Sequence, residues 1–112
     1  MDETDLKKML EAGTVLVNFS AGWCAPCKVM APVIDRISDH YREQLRVISI
    51  DIDKSHELAL EYMVHSIPCL ILFRQAKEIR RLVGIQAETD LEVLLDRVLE
   101  TGTDPGETRW KR

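Results

Sequence analysis

The chain has 112 residues, 15 basic and 19 acidic, for a formal charge of −4, with 46% apolar and 30% charged residues. That length holds one domain with an ordinary core, and the balance excludes both a disordered chain and a cationic nucleic-acid binder. No apolar run nears the roughly 18 residues of a membrane span, and the acidic start at Met1–Asp5 lacks the apolar stretch of an export signal.

Leu6, Met9 and Leu10, spaced i, i+3, i+4 and stopped by Gly13, predict a short helix over 4–12. Residues 14–20, rich in β-branched and aromatic side chains, predict a buried strand. A turn through Ala21-Gly22-Trp23 leads to Cys24, and Val29, Met30, Val33, Ile34 and Ile37 then mark a helix to about Tyr41. Pro32 lies inside that helix, removes one donor and should kink it. Residues 45–52 read as a second strand, and Ser55 opens a helix carrying Leu58, Ala59, Tyr62 and Met63. After Ile67-Pro68, residues 69–73 form a third strand. Gln75-Ala76 is poor hairpin chemistry, since neither residue favours positive φ, yet the polar gap before Ile79 predicts a bend into a fourth strand ending near Val83-Gly84. Thr89 and Glu92 fit a capping box for a last helix that Gly102 ends. The domain is thus expected over 1–102, with 103–112 and its Trp110 as a flexible C-terminal tail.

The predicted order is α-β-α-β-α-β-β-α. The first two strands flank a helix and should be parallel with a right-handed crossover, and the last two antiparallel. The expected fold class is therefore α/β, with a central mixed four-stranded sheet flanked by helices.

Three cysteines stand at 24, 27 and 69. Without an export signal the expected compartment is the reducing cytoplasm, where a Cys-x-x-Cys pair is catalytic or metal-binding rather than structural. At the start of a helix, unpaired N–H groups and the macrodipole favour a thiolate, so Cys24 should ionise below the roughly 8.5 of a free thiol. Cys27, one turn further, faces the same side and should be less exposed. Cys24 is then the nucleophile, and Cys27 the resolving thiol that breaks a mixed disulfide. Pro26 stiffens the turn between them and Trp23 shields one side. This chemistry needs no bound cofactor beyond a redox-active Cys24–Cys27 disulfide. Zinc would need four ligands, and no second pair exists; His65 and Cys69 are separated by Pro68. No metal is expected.

The segment Val15–Pro32, with Val17-Asn18-Phe19-Ser20-Ala21-Gly22-Trp23-Cys24-Ala25-Pro26-Cys27-Lys28 and then Met30-Ala31-Pro32, resembles the thioredoxin family. The likeness continues through Ile50-Asp51-Ile52-Asp53, Ser66-Ile67-Pro68-Cys69-Leu70 and Val83-Gly84, and covers roughly residues 4–101. It implies a thioredoxin fold, a cis Ile67–Pro68 bond facing the disulfide, and substrate docking across Trp23, Ala25, Pro26, Ile67, Pro68 and Gly84. It also implies protein disulfides as substrates, a thioredoxin reductase-type electron donor, a monomer, and a potential near the reducing end of the range, about −270 mV. The competing reading is a non-catalytic adaptor or chaperone module docking peptides beside Pro68; an adaptor has no need of the two thiols.

The chain departs from the family at informative places. The family's first strand has no counterpart among these residues, so the sheet is expected to have four strands rather than five, with one edge more exposed. Asn18 replaces a buried acid and Ser49 its lysine partner; an amide cannot titrate, so proton transfer at Cys27 should be slower or use water. Ala25 stands for glycine, Ser20 for tryptophan and Gln75-Ala76 for an Asn-Gly turn. Asn18, Lys28, Ser49 and Cys69 are the expected tuning positions. Cys69 could form an alternative disulfide or be glutathionylated, but reads better as a small apolar core residue. His40, His56 and His65 show no ligand spacing and read as solvated, and Asp51 and Asp53 read as turn and cap residues.

Overall fold

The protein is described here by a computed structural model over residues 1–102; the expected tail at 103–112, with Trp110, lies outside the described residues. The first helix, α1 (Glu3–Leu10), starts at Asp2, whose side chain accepts the Asp5 N–H at 2.9 Å while Asp5 reaches back to the Asp2 N–H. It buries Leu6 and Leu10, each contributing about 1.5–3 kcal/mol. Gly13, at φ 105, turns the chain into strand β1 (Thr14–Ser20).

Strand β1 is buried from Thr14 to Phe19 because it lies inside the sheet with both faces covered. Helix α2 (Ala25–His40) follows, then β2 (Arg46–Asp51), α3 (His56–Glu61), β3 (Cys69–Arg74), β4 (Lys77–Val83) and α4 (Glu88–Thr101). Among the described residues the sheet order is β2-β1-β3-β4, with β1 and β2 parallel and the other pairs antiparallel. This is the mixed four-stranded sheet of the expected fold.

Strand alternation divides the core. Leu16, Leu70 and Leu72 join Met30, Ile34 and Ile37 of α2 and Leu91, Leu95 and Val98 of α4. Val15, Val17, Phe19, Ile48, Ile50, Ile71 and Phe73 turn the other way, onto Leu6 and Leu10 of α1 and Leu58 of α3. Helix α2 runs through Pro32, which sits on its exposed side, where a carbonyl lacking its N–H partner can turn to water.

One local expectation changes, and a second is met at a cost. The last helix does not start from a Thr89–Glu92 capping box: its N-cap is Ala87, which makes no side-chain cap bond. The helix begins one residue before Thr89, at Glu88, whose carboxylate meets Arg36 of α2 at 2.8 and 2.9 Å. At the β3–β4 hairpin Gln75 and Ala76 do adopt positive φ, 50 and 68. Their N–H groups donate to the Gly13 and Leu10 carbonyls, both at 2.9 Å, which ties the unfavourable turn to the end of α1.

Candidate functional site

Strand β1 delivers Cys24 to the start of α2. The Cys24 N–H donates to the Ala21 carbonyl at 3.2 Å, and Cys24 then takes the extended conformation of an N-cap. Its Sγ accepts the Cys27 N–H at 3.2 Å, so sulfur does the work usually given to a Ser or Asp oxygen. Pro26, early in the first turn, surrenders no needed donor. Cys24 and Cys27 form a disulfide, with Cα atoms 5.2 Å apart. A thiolate at Cys24 would face the free N–H groups and positive end of α2, which is where such a charge is stabilised.

The expected difference in exposure between the two cysteines is absent: Cys24 is 5% exposed and Cys27 6%. Both pack into one small apolar cluster with Ala21, against Ile52 and Ile67. Surroundings separate them instead. Cys24 Sγ lies 3.9 Å from the Ile67 carbonyl oxygen, on the side of the incoming loop, whereas Cys27 belongs to the buried face of α2.

Around the disulfide the structure gathers the other expected residues. The Ile67–Pro68 bond is cis. The Gly84 N–H donates to the Pro68 carbonyl at 2.8 Å, which sets Gly84 beside it. Ala25, Pro26 and Lys28 are exposed, and Trp23 keeps 68% of its surface open. Val83 and Ile85, on either side of Gly84, are also exposed apolar side chains.

Asn18 is buried on the α2 face of β1, and its register partner on β2 is the exposed Ser49. Its Nδ2 donates to Ser49 Oγ at 3.4 Å, and its Oδ1 has no partner among the described residues. Cys69 turns to the opposite face. It is 1% exposed and packs in the cluster that holds Phe19, Ile71 and Phe73, away from the cluster of Cys24 and Cys27. Burial pushes its thiol above the ordinary value, with Arg81 opposing part of that effect. These observations support the apolar core reading of Cys69.

Two contributors escaped the sequence reading. Asp53, assigned there only a turn or cap role, accepts the Trp23 indole N–H at 2.9 Å. Gln86 donates through Nε2 to the Val83 and Gly84 carbonyls at 3.2 and 3.3 Å, while its backbone N–H meets Met30 Sδ at 3.4 Å. The Trp23–Asp53 and Gln86–Met30 contacts leave no signal in local sequence, since each joins segments that only the fold brings together. His40, His56 and His65 are exposed, and among the described residues no group of three or more His, Cys, Asp or Glu side chains could hold a metal.

The thioredoxin family model matches residues 2–97. A thioredoxin-like protein of Synechocystis sp. is 42% identical over 77 residues, covering 69% of this chain and 73% of that one. A thioredoxin of Staphylococcus epidermidis is 35% identical over 97 residues, covering 87% and 93%. Among solved structures, a mutant thioredoxin from Halobacterium salinarum superposes with a TM-score of 0.79 at 31% identity, covering 87% of this chain and 85% of that one.

Proposed function

The chain belongs to the thioredoxin family and is a thioredoxin-like thiol–disulfide oxidoreductase; from that premise we propose that it reduces protein disulfides, with Cys24 attacking and Cys27 resolving. The observation that carries this reading is the cap itself: Cys24 Sγ holds the Cys27 N–H at the start of α2 and faces the Ile67 carbonyl beside cis-Pro68.

The Cys24 thiolate attacks one sulfur of a substrate disulfide. A Cys24–substrate disulfide forms, and the first substrate thiolate leaves. Cys27, as thiolate, then attacks Cys24 Sγ, which forms the Cys24–Cys27 disulfide and releases the second substrate thiolate. Two electrons pass to the substrate, and the two thiol protons end on its sulfurs. Both steps are ordinary thiolate–disulfide exchange, and the second is intramolecular and so entropically favoured. Trp23, Ala25, Pro26, Ile67, Pro68 and Gly84 form the docking surface in this reading, supported by the exposure of Trp23, Ala25 and Pro26 and by the Gly84–Pro68 hydrogen bond. Asn18 supplies no titratable group, so the proton of Cys27 leaves by solvent. Ser49, Lys28 and Cys69 tune the pair indirectly.

Residues 1–102 act as one unit, as a monomer, and a thioredoxin reductase-type dithiol donor recharges the oxidised pair. Such a cycle serves electron transport and redox homeostasis, and it requires a reducing compartment, so we place it in the cytoplasm. Reduction of insulin disulfides by dithiothreitol tests the proposal. Wild type should outrun Cys24→Ser by at least about a hundredfold; equal rates would overturn the reductase and favour a docking module.

A further inference from the structure

The segment that brings Ile67 and Pro68 to Cys24 begins in a conformation that methionine disfavours. Helix α3 closes in a Schellman arrangement: the Val64 N–H donates to the Ala59 carbonyl at 2.8 Å and the Met63 N–H to the Leu60 carbonyl at 3.1 Å. Met63 fills the slot that glycine normally takes, at φ 53. An arginine from another element holds its carbonyl. Arg81 Nη1 donates to the Met63 carbonyl at 3.0 Å, while Nε and Nη2 fork onto the Glu78 carboxylate at 3.0 and 2.9 Å.

Register explains how Arg81 reaches that carbonyl. It lies opposite Ile71 on β3, which sends its side chain to the face covered by α1 and α3. One guanidinium thus bridges edge strand β4 to the end of α3. A second bridge, Gly84 N–H to Pro68 carbonyl, joins the same strand to the other end of the loop. Between these two ties run Val64, His65, Ser66 and Ile67, with His65 and Ser66 exposed. The Arg81 bond is charge-assisted and so stronger than a neutral one, and the Glu78 fork fixes the plane of its donor.

We propose that Arg81 is a positioning residue for polypeptide docking: oriented by Glu78, it holds the Met63 carbonyl and so fixes the path of 64–67 into cis-Pro68. The proposal rests on the reading of Ile67 and Pro68 as docking residues. No sulfur step passes through Arg81. Its effect therefore falls on polypeptide disulfides, which must lie along the loop, and spares a small disulfide that needs only the Cys24–Cys27 pair.

The test compares the full chain with Arg81→Ala on insulin and on 5,5′-dithiobis(2-nitrobenzoate). The variant should raise KM for insulin about fivefold, with kcat, small-disulfide turnover and the midpoint potential within about twofold of wild type. Arg81→Lys, which keeps the charge but not the fork, should fall between. Adding Glu78→Ala to Arg81→Ala should change nothing more, because Glu78 acts through Arg81. Amide exchange gives a readout independent of turnover: Val64 should exchange about tenfold faster in Arg81→Ala, with β1 unchanged. An unchanged KM for insulin, equal losses on both substrates, or unchanged exchange at Val64 would each overturn the proposal. If wild type fails to outrun Cys24→Ser, the reductase reading falls, and the Val64 exchange still decides whether Arg81 holds the loop.

Discussion

The indole N–H of Trp23 and the carboxylate of Asp53, 30 residues apart in the chain, meet at 2.9 Å. They meet because β1 and β2 run parallel, so the loops leaving both strands emerge at the same end of the sheet. Asp53 is itself held by its N–H, which donates to Asp51 Oδ1 at 2.8 Å in an Asx-type turn. An exposed aromatic beside the disulfide is thereby kept in one orientation. Asp53→Ala frees the indole and should raise KM for insulin about threefold, while Asp53→Asn keeps an acceptor and should stay within twofold of wild type. Equal losses in the two variants would refute an anchoring role.

Asn18 invites the reverse experiment. An aspartate placed there would be buried, and burial disfavours the charged form, so its pKa should rise above the usual value of about 3.9. Between the unfolded and folded pKa values the unfolded chain then binds fewer protons, and stability falls as pH rises. Asn18→Asp should match wild type near pH 4 and be weaker by about 1–3 kcal/mol at pH 8 in urea denaturation. It should also add a titration to the pH–rate profile of mixed-disulfide resolution. The same penalty at both pH values would show that the position is not desolvated.

The Gln75-Ala76 turn stores strain that glycine would release. Ala76 sits at φ 68 with its N–H donated to the Leu10 carbonyl, and a glycine there keeps that bond without the Cβ conflict. After the greater entropy of the unfolded glycine chain is offset, Ala76→Gly should gain about 0.5–1 kcal/mol and raise Tm by about 4 °C. Insulin reduction should not change, since Ala76 lies at the opposite end of β3 from Cys69. A lower Tm would mean that the alanine is not strained.

These cases separate what local sequence can carry from what it cannot. The stretch at 14–20 was legible as a strand because its β-branched and aromatic residues suit a strand buried on both faces, even with the polar Asn18 among them. Cys24 was legible as a helix start because the cap depends on neighbours three residues away. The Thr89–Glu92 box misled because that helix starts two residues earlier, from Ala87, without any side-chain cap. The equal burial of Cys24 and Cys27 depends on Ile52 and Ile67, residues that adjacent elements bring in. The Arg81 bond to Met63 likewise exists only once β4 has paired with β3.

Tyr41 governs behaviour in alkali. It closes α2 against α4, its hydroxyl donating to Asp96 Oδ1 at 2.7 Å. Burial first, and Asp96 second, push its pKa well above the ordinary phenol value. The unfolded phenol loses its proton near pH 10 while the native one keeps it, so stability falls as pH rises past about 10. Burial of the Cys69 thiol acts in the same direction, beginning lower, near the roughly 8.5 of a free thiol. Tyr41→Phe should lose about 1–2 kcal/mol at pH 7 and show a shallower decline above about pH 10. Parallel pH curves for the two proteins would remove Tyr41 from this account.

The sheet's border on β2 bears on how the molecule behaves among its own copies. A strand with one side unpaired is a template on which another backbone can zip, and proteins blunt that hazard with brevity and charge. Among the described residues β2 pairs on one side alone, and this rim spans only Arg46–Asp51, with opposite charges at its two ends and the exposed Ser49 between two buried isoleucines. An incoming strand finds a short footing and two hydrated groups to strip. The border is thus built to resist edge-to-edge stacking at high concentration.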